Sequence, residues 1–453
     1  MLREVSDSSP TWGARLWGAL ILLCGILFLD GLDVSMVGVA LPSIQADLGL
    51  STSQLQWIVS AYVLGLGGVL LLGGRAADLL GRRRVLFGAL AVFTLASLAG
   101  GIVDDGALLI AARFLKGVAA AFTVPAALSL ITTTFSEGPS RNKALAIFNA
   151  FGASGFSFGL VFGGLLTNAD WRLTFLLPVP VAAVLLALIP RYIAKDRPHL
   201  GARRHYDLPG AVLLTGGMLV LVHGLVEERV LEIAGALVLL AAFVAVERRA
   251  REPLVRLGIL RHGPLVRANL GAMALFGAYV GFQFAVTLYL QQTLGWSALQ
   301  TALAFLPGGL LVAIGAPRMG AVISRHGTAK PILASTIAFS AGYALFLPVD
   351  ATPYWLGFLP SMLLIGAGFA LGYGALNVQA TAGVADHEQG LAAGLVQTSF
   401  QMGGAIVLAI VTAVVSSGYQ TAIAVVTGVA VVSIALALVG VVRPRGQEAL
   451  ATS

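Results

Sequence analysis

A chain of 453 residues with 58% hydrophobic and only 11% charged residues is not a soluble domain, since soluble domains carry about 25% charged residues. A mean hydropathy of +0.90 puts it among polytopic membrane proteins. The net charge of +7 would suit nucleic acid, but the basic residues sit in short loops between apolar stretches, and one cysteine, Cys24, leaves neither a disulfide framework nor a thiolate metal site.

The N-terminus, Met1 to Arg15, is short and polar. The apolar stretch Leu16–Leu41 behind it is too long for a signal-peptide core and lacks an A-x-A-like cleavage site, so it reads as a retained first span. It carries Asp30 and Asp33, which share a face on a helix. A span takes about 20 apolar residues, and an ionised side chain inside one costs about 2.5–3.5 kcal/mol on insertion scales. The pair is therefore a candidate functional site. A cap, an interhelical hydrogen bond or a headgroup position is the structural alternative, open more widely for Asp30 than for Asp33.

Further candidate spans follow at Leu55–Gly73, Val85–Ile102, Leu108–Ile131, Ala144–Leu166, Phe175–Pro190, Leu208–Val226 and Val230–Val246. The remaining six are Ala268–Leu290, Leu299–Ile323, Ile332–Leu347, Tyr354–Leu376, Leu391–Val415 and Ala422–Val442, giving fourteen in all. The loops alternate in charge. One side holds Arg82 to Arg84, Arg141, Lys143, Arg191, Lys195, Arg203, Arg204, Arg248, Arg249, Arg325, Lys330 and Arg443. The other holds Asp47, Asp104, Asp105, Asp170, Glu227, Glu228 and Asp350, with only Arg172 and Arg229 against them. The positive-inside rule makes the basic side and both termini cytoplasmic, in a cytoplasmic (inner) membrane. The loop Asp386–Gln389 has no Lys or Arg and is silent.

The chain also repeats. Leu48-Gly49-Leu50-Ser51 returns as Leu294-Gly295-Trp296-Ser297, an offset of 295 − 49 = 246. Gly74, Asp78 and Gly81 return as Gly320, Ser324 and Gly327 at the same offset, and Ala144 and Gly155 as Ala392 and Gly403 at 248. Weak self-similarity of apolar sequence does not explain a constant offset. The expected organisation is an N-terminal six-helix bundle (1–191), a linker with two inserted helices (192–265) and a C-terminal six-helix bundle (266–453), with a binding site near the midplane between the halves. Asp33 maps to Tyr279 and Asp78 to Ser324, so ionisable groups concentrate in the first half.

Four stretches carry a family signature. Gly74-Arg75-Ala76-Ala77-Asp78-Leu79-Leu80-Gly81-Arg82-Arg83-Arg84, placed in the loop after helix 2, resembles the loop signature G-x-L-A-D-R-x-G-R-[RK]-[RK] of the major facilitator superfamily. Its glycines allow a tight turn and close approach; Asp78 suits a helix N-terminus or an arginine of the other half, as a cytoplasmic gate with Arg82 and Arg83. A plain topogenic cluster would explain only the arginines. Leu32-Asp33-Val34-Ser35-Met36-Val37-Gly38-Val39-Ala40-Leu41-Pro42 is similar to the drug/proton antiporter pattern L-D-x-T-I-V-N-V-A-L-P, with Ser35 for threonine and Gly38 for asparagine. Arg113-Phe114-Leu115-Lys116-Gly117 resembles R-x-x-Q-G, with Lys116 for glutamine. Two arrangements suit Lys116: Arg113 and Lys116 against Asp30 and Asp33, two by two, or Lys116 snorkelling to an interface. Gly155, Gly159, Gly163 and Gly164 follow G-x-x-x-G-P-x-x-G-G except that Leu160 replaces proline; helix packing alone explains such glycines. Trp171-Arg172-Leu173-Thr174-Phe175 and Gly390 to Gly404 extend the resemblance over nearly the whole chain.

The resemblance implies an all-α polytopic membrane protein of the major facilitator fold, two pseudo-symmetric six-helix bundles plus two linker helices. It also implies proton-coupled export of amphipathic or cationic organic compounds by a functional monomer in the bilayer, with Asp33 as the family's acidic position and Arg113 linked to proton movement. Export of an endogenous metabolite, antibiotic or lipid, or a transport-inactive sensor, are the alternatives. Polar residues within spans, Asn149, His223, Tyr279, Gln283, Asn377, Gln379, Gln397 and Gln401, are candidate cavity groups, each also readable as an interhelical hydrogen bond. There is no G-x-x-x-x-G-K-[ST] loop, H-E-x-x-H, Cys/His cluster or nucleophile elbow, so no nucleotide, metal, cofactor or enzyme activity is expected.

Overall fold

A computed structural model describes residues 12–136, 138–195, 207–250, 253–348, 354–385 and 388–442, though not the side chains at 78, 139, 142 and 153. All regular structure among the described residues is helical. The first half runs α1 (Ala14–Leu48), α2 (Thr52–Leu80), α3 (Arg82–Ile102), α4 (Gly106–Thr134), α5 (Pro139–Ala169) and α6 (Leu173–Tyr192). A hairpin follows, α7 (Leu208–Val226) and α8 (Val230–Arg249). The second half is α9 (Gly263–Thr293), α10 (Ala298–His326), α11 (Ala329–Leu345), α12 (Phe358–Thr381), α13 (Gln389–Val415) and α14 (Tyr419–Val442). Thirteen of these are at least 18 residues long and apolar enough to cross a bilayer. The fourteenth, α11, has 17 residues, at the lower end of the spanning range.

The duplication seen in sequence is visible in the backbone. Gly49 and Gly295 both take positive φ, 62° and 68°, and each precedes a serine capping box. Ser51 accepts from the Gln54 amide and Ser297 from the Gln300 amide, with the glutamine side chain returning the bond. Packing repeats as well. α1 lies on α5 and α6, α2 on α4, and α3 on α4 and α6; α9 lies on α13 and α14, α10 on α12, and α11 on α12 and α14. The halves meet along α2–α13 and α5–α10, and α7 packs on α2 and α13 at one seam.

Two expectations change. α1 runs seven residues past Leu41, through Pro42, because bilayer helices tolerate an internal proline. The signature segment is not a loop: Gly74 to Leu80 are the last turns of α2, and the connection to α3 is Gly81 alone. Its φ of 98° is open to glycine and strained for other residues. Arg82 and Arg83 open α3. The side chain of Asp78, the central residue of the expected gate, lies outside the described atoms, as do the loop charges Arg203, Arg204, Asp350, Asp386 and Arg443. At the opposite membrane face Arg172 ties the first half together, 2.8 Å from Asp47 and 2.5 Å from Asp104. Those two carboxylates, Asp104 first, raise the pKa of its guanidinium.

Candidate functional site

α1, α2 and α4 bring a charged cluster into the first half. Asp33 is fully buried on α1. One carboxylate oxygen accepts from Arg113 at 2.5 Å and the other from the Lys116 ammonium. Arg113 and Lys116 are also buried; three residues apart on α4, they share a face toward α1. Arg113 donates its Nε–H to the Ile58 carbonyl at 2.9 Å and lies over the Tyr62 ring, 4.4 Å from its centroid. Lys116 sits 4.7 Å from the Phe93 ring centroid and 5.4 Å from that of Phe175. Such cation–π contacts are worth about 2 kcal/mol when desolvated.

The two-by-two pairing of the sequence reading does not form, and neither does snorkelling by Lys116. Both cations close on Asp33, while Asp30 accepts a hydrogen bond from Tyr62 and is only half-buried. The reason is close approach of α4 to α2. A Cβ on Gly117 would stand 2.1 Å from the Tyr62 carbonyl, and one on Gly65 2.5 Å from that of Phe114. That contact sets the Tyr62 ring over Arg113 and its hydroxyl beside Asp30.

The helix 5 glycines divide by face. Cβ atoms on Gly155, Gly159 and Gly163 would fall 2.3, 2.0 and 2.7 Å from α1 atoms of Phe28, Ser35 and Met36. Gly164 instead meets α10 of the other half, 2.8 Å from Ala302 Cβ. Gly74 makes only an ordinary contact, 4.0 Å to Pro125.

Facing α1 and α5, the second half presents neutral polar and aromatic groups. Tyr279, the repeat partner of Asp33, lies between Phe156 and Phe369, with centroids at 6.1 and 5.5 Å. Gln283 reaches α1: a Cβ on Gly38 would stand 3.1 Å from its Nε2. Where the antiporter pattern has an asparagine on α1, an amide thus arrives from α9. Gln397 donates to Asn377 at 3.1 Å and to the Tyr373 hydroxyl at 3.1 Å. Tyr373 is within electrostatic reach of Asp30. Asn149 is exposed on the α5 face turned away from the exposed Phe151 and Phe158. Gln401 packs on Gly67, Gln379 donates to the Pro264 carbonyl, and His223 meets Glu232 on the α7–α8 hairpin, apart from this site. At the far end from the termini the halves are joined by Gln292 to Gln45, 2.7 Å, and Gln291 to the Val39 carbonyl, 3.0 Å.

Sequence reasoning missed Tyr62, Tyr373 and these glutamines. Tyr373 had a signal, standing one turn from Asn377; Tyr62 had none beyond a hydroxyl in an apolar span.

The sequence profile of the Major Facilitator Superfamily matches residues 23–408. The chain belongs to that superfamily. It is 39% identical to the cephamycin export protein CmcT of Amycolatopsis lactamdurans, over 88% of this chain and 85% of that one. It is likewise 39% identical to the puromycin resistance protein pur8 of Streptomyces alboniger, over 88% and 82%. A crystal structure of the nucleoside transporter NupG superposes with a TM-score of 0.69, covering 94% of this chain and 99% of that one at 14% identity, a likeness of fold. The protein is a multi-pass membrane transporter of small molecules, related to antibiotic exporters, and not an enzyme. The two halves face each other, and among the described residues of their facing helices the buried charges, Asp33, Arg113 and Lys116, belong to the first half.

Proposed function

We propose that the protein is a proton-coupled antiporter that exports amphipathic or cationic organic compounds across the cytoplasmic membrane by alternating access. The observation that carries this reading is Asp33, dry and held between Arg113 and Lys116, one tyrosine away from Asp30 at the edge of the gap. An ionised Asp33 ties α1 to α4 through two cations. A proton on it cancels the charge that holds them, so protonation and the packing of α1 on α4 are linked. A cation entering the gap meets Asp30, whose Tyr62 hydrogen bond connects it to the same cluster. Proton and cation then compete through one network, which forces exchange. The basic loops support cytoplasmic termini.

The test is substrate-dependent proton flux in liposomes. Asp33→Asn, fixed in the neutral form, abolishes uphill efflux driven by a pH gradient while leaving substrate binding. Accumulation against a gradient at the wild-type rate would move the carrier elsewhere, with Asp30 next. A second reading, export of an endogenous antibiotic or metabolite, draws on relatives such as CmcT and the tetracenomycin C resistance and export protein of Streptomyces glaucescens. Resistance of expressing cells to a panel of toxic compounds separates broad export from a narrow one. A transport-inactive sensor would be indifferent to the pH gradient.

A further inference from the structure

A narrow crevice, open at one end, lies inside the second half, away from Asp33. Its mouth lies where four helices end: Arg267 one turn into α9, Ala329 at the start of α11, Gln379 near the end of α12 and Gly440 near the end of α14. It reaches down α9 to Ala278. Eleven residues of helix are about 16 Å, close to half the ~30 Å hydrocarbon core. The crevice is one leaflet deep and starts at the face that holds the termini.

Its walls are almost finished with hydrogen bonding. Ser335 donates to the Gly368 carbonyl at 2.6 Å, Thr336 to Leu333 at 2.9 Å, Ser433 to Ala430 at 2.6 Å and Gln379 to Pro264 at 3.2 Å. Arg267 is different: its Nε is buried and has no hydrogen-bond partner among the described residues. A buried donor left unmet costs about 1–3 kcal/mol. A guanidinium with an unmet buried N–H at the mouth of an apolar slot is the complement of an anionic amphiphile.

The first half shows how the space arises. The buried residues Pro178, Ala182, Leu185 and Ile189 of α6 recur at a constant 248 as Val426, Ala430, Ser433 and Ala437 of α14. On that register Leu185 becomes Ser433, Ile189 becomes Ala437 and Tyr192 becomes Gly440. In the first half the Tyr192 ring lies against Gly18 and Leu185 against Gly25. The second half has lost all three large side chains along one helix face, and unfilled space of that kind is destabilising.

We propose that this crevice holds one anionic phospholipid from the leaflet on the side of the termini, its phosphate on Arg267 and an acyl chain along Ser433, Ala437 and Gly440. The lipid replaces, in the second half, the side chains that plug the first. The site is separate from the proton cluster, and its test does not depend on transport.

The full-length protein is taken from vesicles of equal parts phosphatidylcholine and phosphatidylglycerol, and retained lipid is counted by native mass spectrometry. Wild type keeps one phosphatidylglycerol in preference to phosphatidylcholine. Arg267→Gln keeps the slot and lowers phosphatidylglycerol retention about fivefold, the effect of one basic side chain at a lipid surface. Ser433→Leu with Gly440→Tyr restores the first half's plug; it loses the lipid with Arg267 in place and melts no lower than wild type. Equal retention of both lipids, an Arg267→Gln protein that holds phosphatidylglycerol as wild type does, or a plugged variant that still carries it, would overturn the proposal. So would inorganic phosphate alone, in detergent, competing the lipid off, since that marks a free-anion site.

Discussion

Removing the counter-ion while keeping both cations separates the structural work of Asp33 from the transport role proposed for it. Asp33→Asn leaves Arg113 and Lys116, both buried, facing a neutral amide. Breaking a buried ion pair costs about 3–5 kcal/mol. The lower end applies here, because Asp30 remains within electrostatic reach of both cations. Lys116→Gln, which installs the residue of the family pattern, keeps the Asp33–Arg113 pair and should cost about 1 kcal/mol, a lost hydrogen bond. Independent effects would sum to about 4 kcal/mol. The double variant removes one charge of each sign and leaves Arg113 with Asp30, so about 2 kcal/mol is expected, a coupling of about 2 kcal/mol in the cycle. Equilibrium denaturation in mixed detergent micelles reads all four proteins, and liposome efflux reads function. The double variant should recover stability without recovering proton-driven efflux. Additivity to within about 0.5 kcal/mol would refute Asp33 as the shared counter-ion. Efflux restored by Lys116→Gln in the Asp33→Asn background would show that the carboxylate serves only packing.

Gly159→Val places a side chain where even a Cβ would be 2.0 Å from Ser35 Oγ and 2.5 Å from the Leu32 carbonyl; folded yield should fall sharply, by the roughly 1–3 kcal/mol of overpacking or more. Gly216→Ala, with nothing within 4 Å, should be neutral or stabilise by up to about 1 kcal/mol in the same micelle denaturation. Reporter fusions after Arg84 and Arg261 should read cytoplasmic and those after Asp105 and Glu228 external; a cytoplasmic signal at Glu228 would remove α7 and α8 as a spanning pair. Asp78→Asn should depress transport at normal expression, whereas Ser324→Ala should do little, because the Ser324 hydroxyl is bonded within its own helix to the Ala321 carbonyl at 3.0 Å.

The parts legible in sequence were those written in one helix at a time. Fourteen hydrophobic stretches, the duplicated Gly–Ser corners and the glycine ladder of α5 depend on local spacing, and the structure has each of them. What spacing could not give was azimuth. Asp30 and Asp33 differ by only 60° around α1, and that rotation decides which carboxylate takes both cations. Nothing in either helix states it; it is set by α2, whose Gly65 lets α4 come close enough for Tyr62 to stand between Asp30 and Arg113. The same reasoning covers Gly38, where a missing asparagine read as a lost polar contact. The space beside Gly38 is taken by the Gln283 amide, from a position 245 residues away in the chain, whose nitrogen has no hydrogen-bond partner among the described residues.

The asymmetry between the halves bears on what the gap selects. The second half's described wall is built from Tyr279, Gln283, Tyr373, Asn377 and Gln397, interleaved with Phe369 and Phe400. Hydroxyls and amides both donate and accept, and aromatic faces hold apolar bodies and cations alike, so that wall discriminates shape far better than charge. A preference for cations must therefore come from the first half. Asp33 cannot supply it while both its oxygens are engaged, which leaves Asp30. Asp30→Asn is accordingly expected to relax the preference of efflux for cationic over neutral compounds of similar shape while proton-driven export of the neutral ones persists. Equal loss for both classes would instead place Asp30 in the proton path beside Asp33.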